Sequence, residues 1–243
     1  MANFKTHVLV AAAVSGSATV VALSSDLLSA QVLPAYFLLG TMAGLLPDID
    51  SDNSVPIRLF FNLMAVSAAF AALFSVVDRY SIVESLLLWG GVYLLVRYTV
   101  FELFIRLTVH RGVFHSVLAA CFFGLLFTCI ADSWLHRSEL ESWLAGVFVF
   151  MGYLVHLSLD ELYSVDLTNI RLKRSFGTAL KLVSLKYMRE TLLLFVLTLM
   201  LFSAAPSGDV FLQTTWNGEF YQDIVNKLWP GGRWFSGLWP THS

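Results

Sequence analysis

The chain is short of charge. Asp, Glu, Lys and Arg make up 13 % of its 243 residues, against about 25 % in soluble globular domains. A soluble all-α protein would need a charged surface that these residues cannot furnish. Neither sign dominates: 15 Lys and Arg against 17 Asp and Glu leave a formal charge of -2 and a pI near 6.3. That balance lacks the basic footprint of a nucleic-acid binder, and no nucleic-acid partner is expected. Cysteine is scarce as well. Cys121 and Cys129 lie in one apolar run, where they read as small buried hydrophobes and report nothing about redox compartment. No internal repeat or low-complexity tract is present.

What the chain has is apolar length. Hydrophobic residues make up 57 %, with 20 Phe and a mean hydropathy of +0.72. Val8 to Leu23 follows a short head with one lysine, Lys5. Leu28-Ser29-Ala30 is a poor cleavage site because Leu stands where a small residue belongs, so an uncleaved helix is expected over 7–25. A second run, Val32 to Leu46, has 15 residues, short of the about 20 that a full span needs. Further runs cover Leu59 to Val77, Ile82 to Leu107, Val113 to Ile130, Trp143 to Leu162 and Leu192 to Ala205. Glu84, Arg97, Glu102 and Arg106 interrupt the fourth, and Glu102 and Arg106 are spaced to pair on one helix face.

This pattern predicts an all-α polytopic membrane helical bundle with about seven apolar helices. Residues 1–165 form its embedded core, 166–190 a basic loop or surface helix, 191–205 the last membrane helix and 206–243 an aromatic tail. Phe176 to Met188 is expected along the membrane surface. The tail holds four of the seven tryptophans and suits the interface belt.

Polar residues gather at the ends of these runs. His7 precedes the first, and Asp48 and Asp50 of Pro47-Asp48-Ile49-Asp50 close the second. His110, Arg111 and His115 open the fifth, and His156 and Asp160 close the sixth. If seven helices alternate across a bilayer, all of these fall on one side. His136, by contrast, reads as a solvated loop residue. The same side carries ten lysines and arginines near helix ends (Lys5, Arg58, Arg106, Arg111 and six within 171–189) against four on the other. The positive-inside rule makes that side cytoplasmic.

Seven candidate ligands follow: His7, Asp48, Asp50, His110, His115, His156 and Asp160. His156 and Asp160, four apart, share a helix face. His115 is expected in the first helical turns of the fifth run, with His110 in the incoming loop. Imidazoles mixed with carboxylates suit a divalent metal, Zn²⁺ foremost and Mn²⁺ or Fe²⁺ less specifically. One or two ions are expected, since a pair can activate water on one side and stabilise a leaving oxygen on the other. Arg111 suits a phosphate oxygen, and Asp50 is the candidate catalytic base. Phosphate-containing or anionic substrate and membrane lipid are the expected partners.

The motifs Thr6-His7, Gly44-Leu45-Leu46-Pro47-Asp48-Ile49-Asp50, the HRGVFHS stretch from His110 to Ser116 and the GYLVHLSLDE stretch from Gly152 to Glu161 resemble the bacterial family described as LexA-induced or membrane-bound metal-dependent hydrolases. The resemblance covers roughly 1–165. It implies inner-membrane location, metal-dependent hydrolysis and the same seven residues as ligands. That family is in turn similar to the zinc-dependent phospholipase C and single-strand nuclease helical fold, whose members cleave phosphoesters. Two departures stand out: Ser51, Asp52 and Asn53 follow Asp50 where a histidine is common, and Glu161 to Asp166 replaces a common Thr-Pro-x-Gly segment. An ion-pathway or transport protein is the alternative if charges run through the membrane's depth. A non-catalytic membrane protein with a structural metal site is the other.

Overall fold

The computed structural model describes residues 3–50, 61, 62, 64–66, 68–70, 72, 73, 79–102, 113–163, 165, 166, 171, 172 and 181–229. Helix dominates them, as expected. Helix α1 spans Phe4–Ser24, α2 Leu33–Ala43, α3 Ile82–Leu94, α4 Val117–Ser133, α5 Glu139–Leu162, α6 Met188–Ala204, α7 Asp209–Thr215 and α8 Gly218–Leu228. A 3₁₀ turn covers Leu46–Asp50, and α3 runs on as a π-helix over Leu95–Val100.

The expectation of seven membrane helices is not met. Among the described residues three helices are long and apolar enough to cross a membrane: Phe4–Ser24, Ile82–Val100 and Glu139–Leu162. Met188–Ala204 and Asp209–Thr215 make a fourth only as a pair bent by 89°. The second run yields 11 helical residues, because the helix closes at Gly44 and Pro47 follows. The fifth run yields 17, beginning at Val117 rather than Val113. At about 1.5 Å per residue these span ~16 and ~26 Å, less than the ~30 Å hydrocarbon layer. The third run falls only partly among the described residues, as the helical stretches between 61 and 73.

Helix starts follow local chemistry. The Asn3 side chain accepts from the Thr6 backbone N–H at 2.8 Å, which begins α1 one turn ahead of the expected position. Ser81 and Glu84 cap one another's backbone at the start of α3, so Glu84 opens that helix rather than interrupting it. Ser116 and Ser138 cap α4 and α5 one way, their side chains accepting from the Ala119 and Glu141 N–H groups. The basic stretch falls only partly among the described residues. Val165–Asp166 and Arg171–Leu172 pair as a two-residue antiparallel ladder, and Leu185–Tyr187 forms one 3₁₀ turn. The rest of Phe176 to Met188 lies partly outside the described residues.

Helix α5 is the hub, packing on α1, α2 and α4. Small residues let the backbones touch. A Cβ on Gly152 would run into the Gly40 carbonyl, and one on Gly40 into the Ser15 hydroxyl. One on Gly44 would lie 2.5 Å from Ala11 Cβ. Gly40 and Gly44 form a small-xxx-small pair, the spacing that brings membrane helices into backbone contact. Gly146 meets Gly124 and Thr128 where α5 crosses α4. Around these contacts sit two apolar clusters. One joins Ala43, Leu46, Val113, Phe123, Tyr153 and Leu157; the other joins Ala22, Tyr36, Leu144 and Phe148 at the opposite end of the bundle.

The small-residue layer places the functional end. One turn from it in each helix stands a polar residue: His7 before Ala11, Asp48 after Gly44 and His156 after Gly152. All three steps lead to the same end, because α2 and α5 run antiparallel to α1.

Candidate metal centre

Each polar side chain is delivered by a defined piece of backbone. His7 lies in the opening turns of α1 and is 2 % exposed. Asp48 rides the 3₁₀ turn of Leu46–Asp50. His115 sits in the turn just before α4, not in its first helical turns. Ser116 is extended, accepts from Ala119 N–H and donates to the Val113 carbonyl at 2.6 Å, so the helix cannot begin earlier. The buried Tyr153 hydroxyl donates to the Phe114 carbonyl and pins that turn to α5. His156 and Asp160 lie one turn apart on the buried face of α5, 0 % and 3 % exposed.

The carbonyl of Gly44 fixes the orientation of His156. It lies 2.7 Å from His156 Nδ1. A carbonyl can only accept, so Nδ1 carries a hydrogen and Nε2 is the nitrogen left to face the other side chains. It points toward Asp48 Oδ1 and Asp160 Oδ2, each 3.5 Å away. His115 Nε2 faces the same two oxygens at 3.8 and 3.7 Å.

These separations are too long for good hydrogen bonds, which cluster near about 2.9 Å. They are close to the edges of a metal polyhedron: bonds of about 2.1 Å to a tetrahedral ion imply ligand–ligand edges of about 3.4 Å. Donor atoms of Asp48, His115, His156 and Asp160 all lie within 4.8 Å of one another. The Nε2 atoms of His115 and His156 are buried without a hydrogen-bond partner, a cost that structures rarely tolerate unless an ion or water meets it. The donor set fits a divalent cation.

His7 joins this group from the side. Its ring stacks on His156 with centroids 3.8 Å apart and planes at 12°, and its Nε2 lies 3.3 Å from Asp160 Oδ1. That is the oxygen turned away from His115 and His156. Asp48 is the open wall, its side chain 31 % exposed. Burial pushes its carboxyl up, but the contact with His156 and the charges of His156 and His115 outweigh that and hold it below the ordinary carboxylate range.

Of the seven expected ligands, the structure thus brings together His7, Asp48, His115, His156 and Asp160. Asp50 ends the same 3₁₀ turn, with its side chain outside what is described. His110 and Arg111 lie outside the described residues, as does Arg106, the expected partner of Glu102. Arg97 lies over the Phe101 ring at 4.9 Å. His136 is an exposed turn residue with φ of 49°. The Gly44 carbonyl, Tyr153 and Ser116 are supporting groups that the ligand pattern alone did not single out.

The chain matches the family model described as YdjM inner membrane protein over residues 1–216. It belongs to that family. Inner-membrane location follows, in keeping with the apolar helices. No curated protein and no solved structure matches the chain. For this YdjM-family chain the phospholipase-like fold and the hydrolytic reaction are therefore proposals.

Proposed function

We propose that the protein is a metal-dependent hydrolase of the inner membrane, acting on a phosphoester of a lipid or lipid-linked phosphate at the cytoplasmic face. The observation that carries the reading is the convergence of Asp48, His115, His156 and Asp160 at edge lengths of 3.5–3.8 Å, with His156 oriented by the Gly44 carbonyl. A divalent ion held there, Zn²⁺ foremost, supplies Lewis acidity and activates water. The helical fold of the zinc phospholipases is the architecture proposed for this core.

The chain's own residues account for the rest of the chemistry. Asp48 forms the accessible wall, so substrate approaches there. His7 Nε2 lies 3.3 Å from the outer oxygen of Asp160 and backs that carboxylate from the side. A basic segment runs beside the site: the carbonyls of Lys181 and Leu182 accept from the N–H groups of Val117 and Leu118 at 2.9 and 3.2 Å, two and three residues beyond His115. Lys181, Lys186 and Arg189 therefore lie on the strand of chain that flanks the mouth, favouring an anionic substrate. Arg111 is proposed to grip a phosphate oxygen and Asp50 to accept the proton from water. The basic residues of 171–189 and Arg111 support a cytoplasmic position for this end under the positive-inside rule.

Metal analysis of detergent-purified protein, with a phosphodiesterase and phospholipase panel run alongside, tests the reading. Stoichiometric metal with turnover that is lost in a His110→Ala, His156→Ala double variant is expected. Full metal content in that variant would sink the assignment.

One observation favours a second reading, a structural metal clip. Four protein donors complete a tetrahedron and leave no open position. In the Co²⁺-substituted protein, added phosphate should alter the visible spectrum if the site is catalytic and leave it unchanged if the site is closed.

A further inference from the structure

At the end of the bundle remote from the metal centre, α8 has the sharpest separation of apolar and polar faces among the described helices. Ile224, Leu228, Tyr221 and Val225 fall within one half of its circumference at 100° per residue, and Trp229 follows directly after its last turn. Glu219, Gln222, Asp223, Asn226 and Lys227 fill the other half. None of its residues is buried. The apolar half faces outward: Tyr221, Val225 and Leu228, and Trp229 after them, are 58, 58, 62 and 64 % exposed.

Three observations say what lies against that face. First, Lys227 Nζ donates to the carbonyl of Ser24, the last residue of α1, at 2.6 Å. Helix α1 has 21 residues, about 31 Å at ~1.5 Å per residue, close to the ~30 Å hydrocarbon thickness. Its end, and the helix fastened to it, therefore sit at the level where hydrocarbon meets headgroups. Second, the chain turns by 89° between α6 and α7 just before α8. Trp143 on α5 holds that corner by donating to the Pro206 and Ser207 carbonyls at 3.2 and 3.0 Å. The chain thus stops running along the bundle and starts running across its end. Third, the aromatic residues there are the amphipathic kind that favour the interface: Trp216, 82 % exposed, Tyr221 and Trp229.

We propose that α8 is an interfacial helix, lying in the headgroup region of the leaflet remote from the metal centre with its Tyr221–Val225–Leu228 face in the acyl boundary. The polar face carries Glu219, Asp223 and Lys227, one more acid than base. Insertion is therefore driven by apolar area, not by attraction to anionic lipid. The Lys227 contact acts as the tether that sets its depth.

The full chain, reconstituted in phosphatidylcholine vesicles with or without phosphatidylglycerol, gives the test. Spin labels placed one at a time at Tyr221→Cys, Gln222→Cys, Val225→Cys and Asn226→Cys, in a Cys121→Ala, Cys129→Ala background that keeps its helical spectrum, report collisions with oxygen and with a water-soluble nickel chelate. Labels at 221 and 225 should favour oxygen several-fold over those at 222 and 226, equally in both lipid mixtures. Three results would overturn the proposal. All four sites could be open to the chelate. Labels at 221 and 225 could be shielded from both reagents, as when residues 230–243 or a second copy cover them. The oxygen preference could also arise only with phosphatidylglycerol.

Discussion

His156 Nδ1 donates to the Gly44 carbonyl across 2.7 Å, joining two residues 112 positions apart in the chain. That bond links the end of α2, just ahead of the 3₁₀ turn bearing Asp48, to the helix bearing Asp160, so removing it disturbs both walls of the site. His156→Ala is expected to reduce bound metal to background, as measured by elemental analysis of purified protein. His7→Ala, which leaves the four converging groups intact, should weaken metal affinity about 10–100-fold, the usual cost of losing a group that orients a ligand.

Backbone contact between α2 and α5 sets up a sharp contrast among glycines. Gly152→Ala would drive a Cβ into the Gly40 carbonyl and should destabilise the protein by about 1–3 kcal/mol through overpacking. Gly90→Ala meets nothing within 4 Å and should be neutral, or slightly stabilising through helix propensity. Thermal unfolding of the two variants in one detergent decides it.

Ser116→Ala removes the cap of α4 and a buried hydrogen bond to Val113. A loss of about 1 kcal/mol in stability is expected from the cap, together with weaker metal binding because His115 is the preceding residue. Ser138→Ala removes the corresponding cap at the start of α5, the end of that helix remote from His156 and Asp160, and should cost similar stability with no change in metal affinity.

The depressed carboxyl of Asp48 has a definite pH signature in chelator-treated protein. A group whose folded value lies below its unfolded value, here near 3.8, contributes stability that is present above the unfolded value and is lost as pH falls through the folded one. Unfolding temperature should hold steady down to about pH 5 and then fall. In Asp48→Asn the acid-side slope should be shallower, and an unchanged slope would contradict the assignment.

Much of this was legible in the residues, and some of it was legible but passed over. The spacing of His156 and Asp160 and the placement of His7, Asp48 and His115 at run ends foretold one end of the bundle. Ser81 and Glu84 form a capping box that marks a helix start, although Glu84 by itself looked like an interruption. Gly40 and Gly44 carry a recognisable packing spacing. Two features had no signature of their own. Phe114 is as apolar as its neighbours, and nothing in its side chain announces that its carbonyl accepts from the Tyr153 hydroxyl. The Gly44 carbonyl is invisible to any reading of side chains. Counting apolar runs overestimated spans because hydropathy records composition and not where Gly44, Pro47 or Ser116 end or begin a helix.

The close glycine layer also bears on how the protein matures. The four converging groups come from three separated stretches, around residues 48, 115 and 156–160. The α4–α5 hairpin by itself presents three of them and lacks Asp48, which the α1–α2 pair delivers. Only when the early pair of helices docks against the later one, glycine against glycine, do all four face each other. If the proposed metal site is correct, uptake would be a late event, a chemical reading of whether the membrane-inserted halves have found each other.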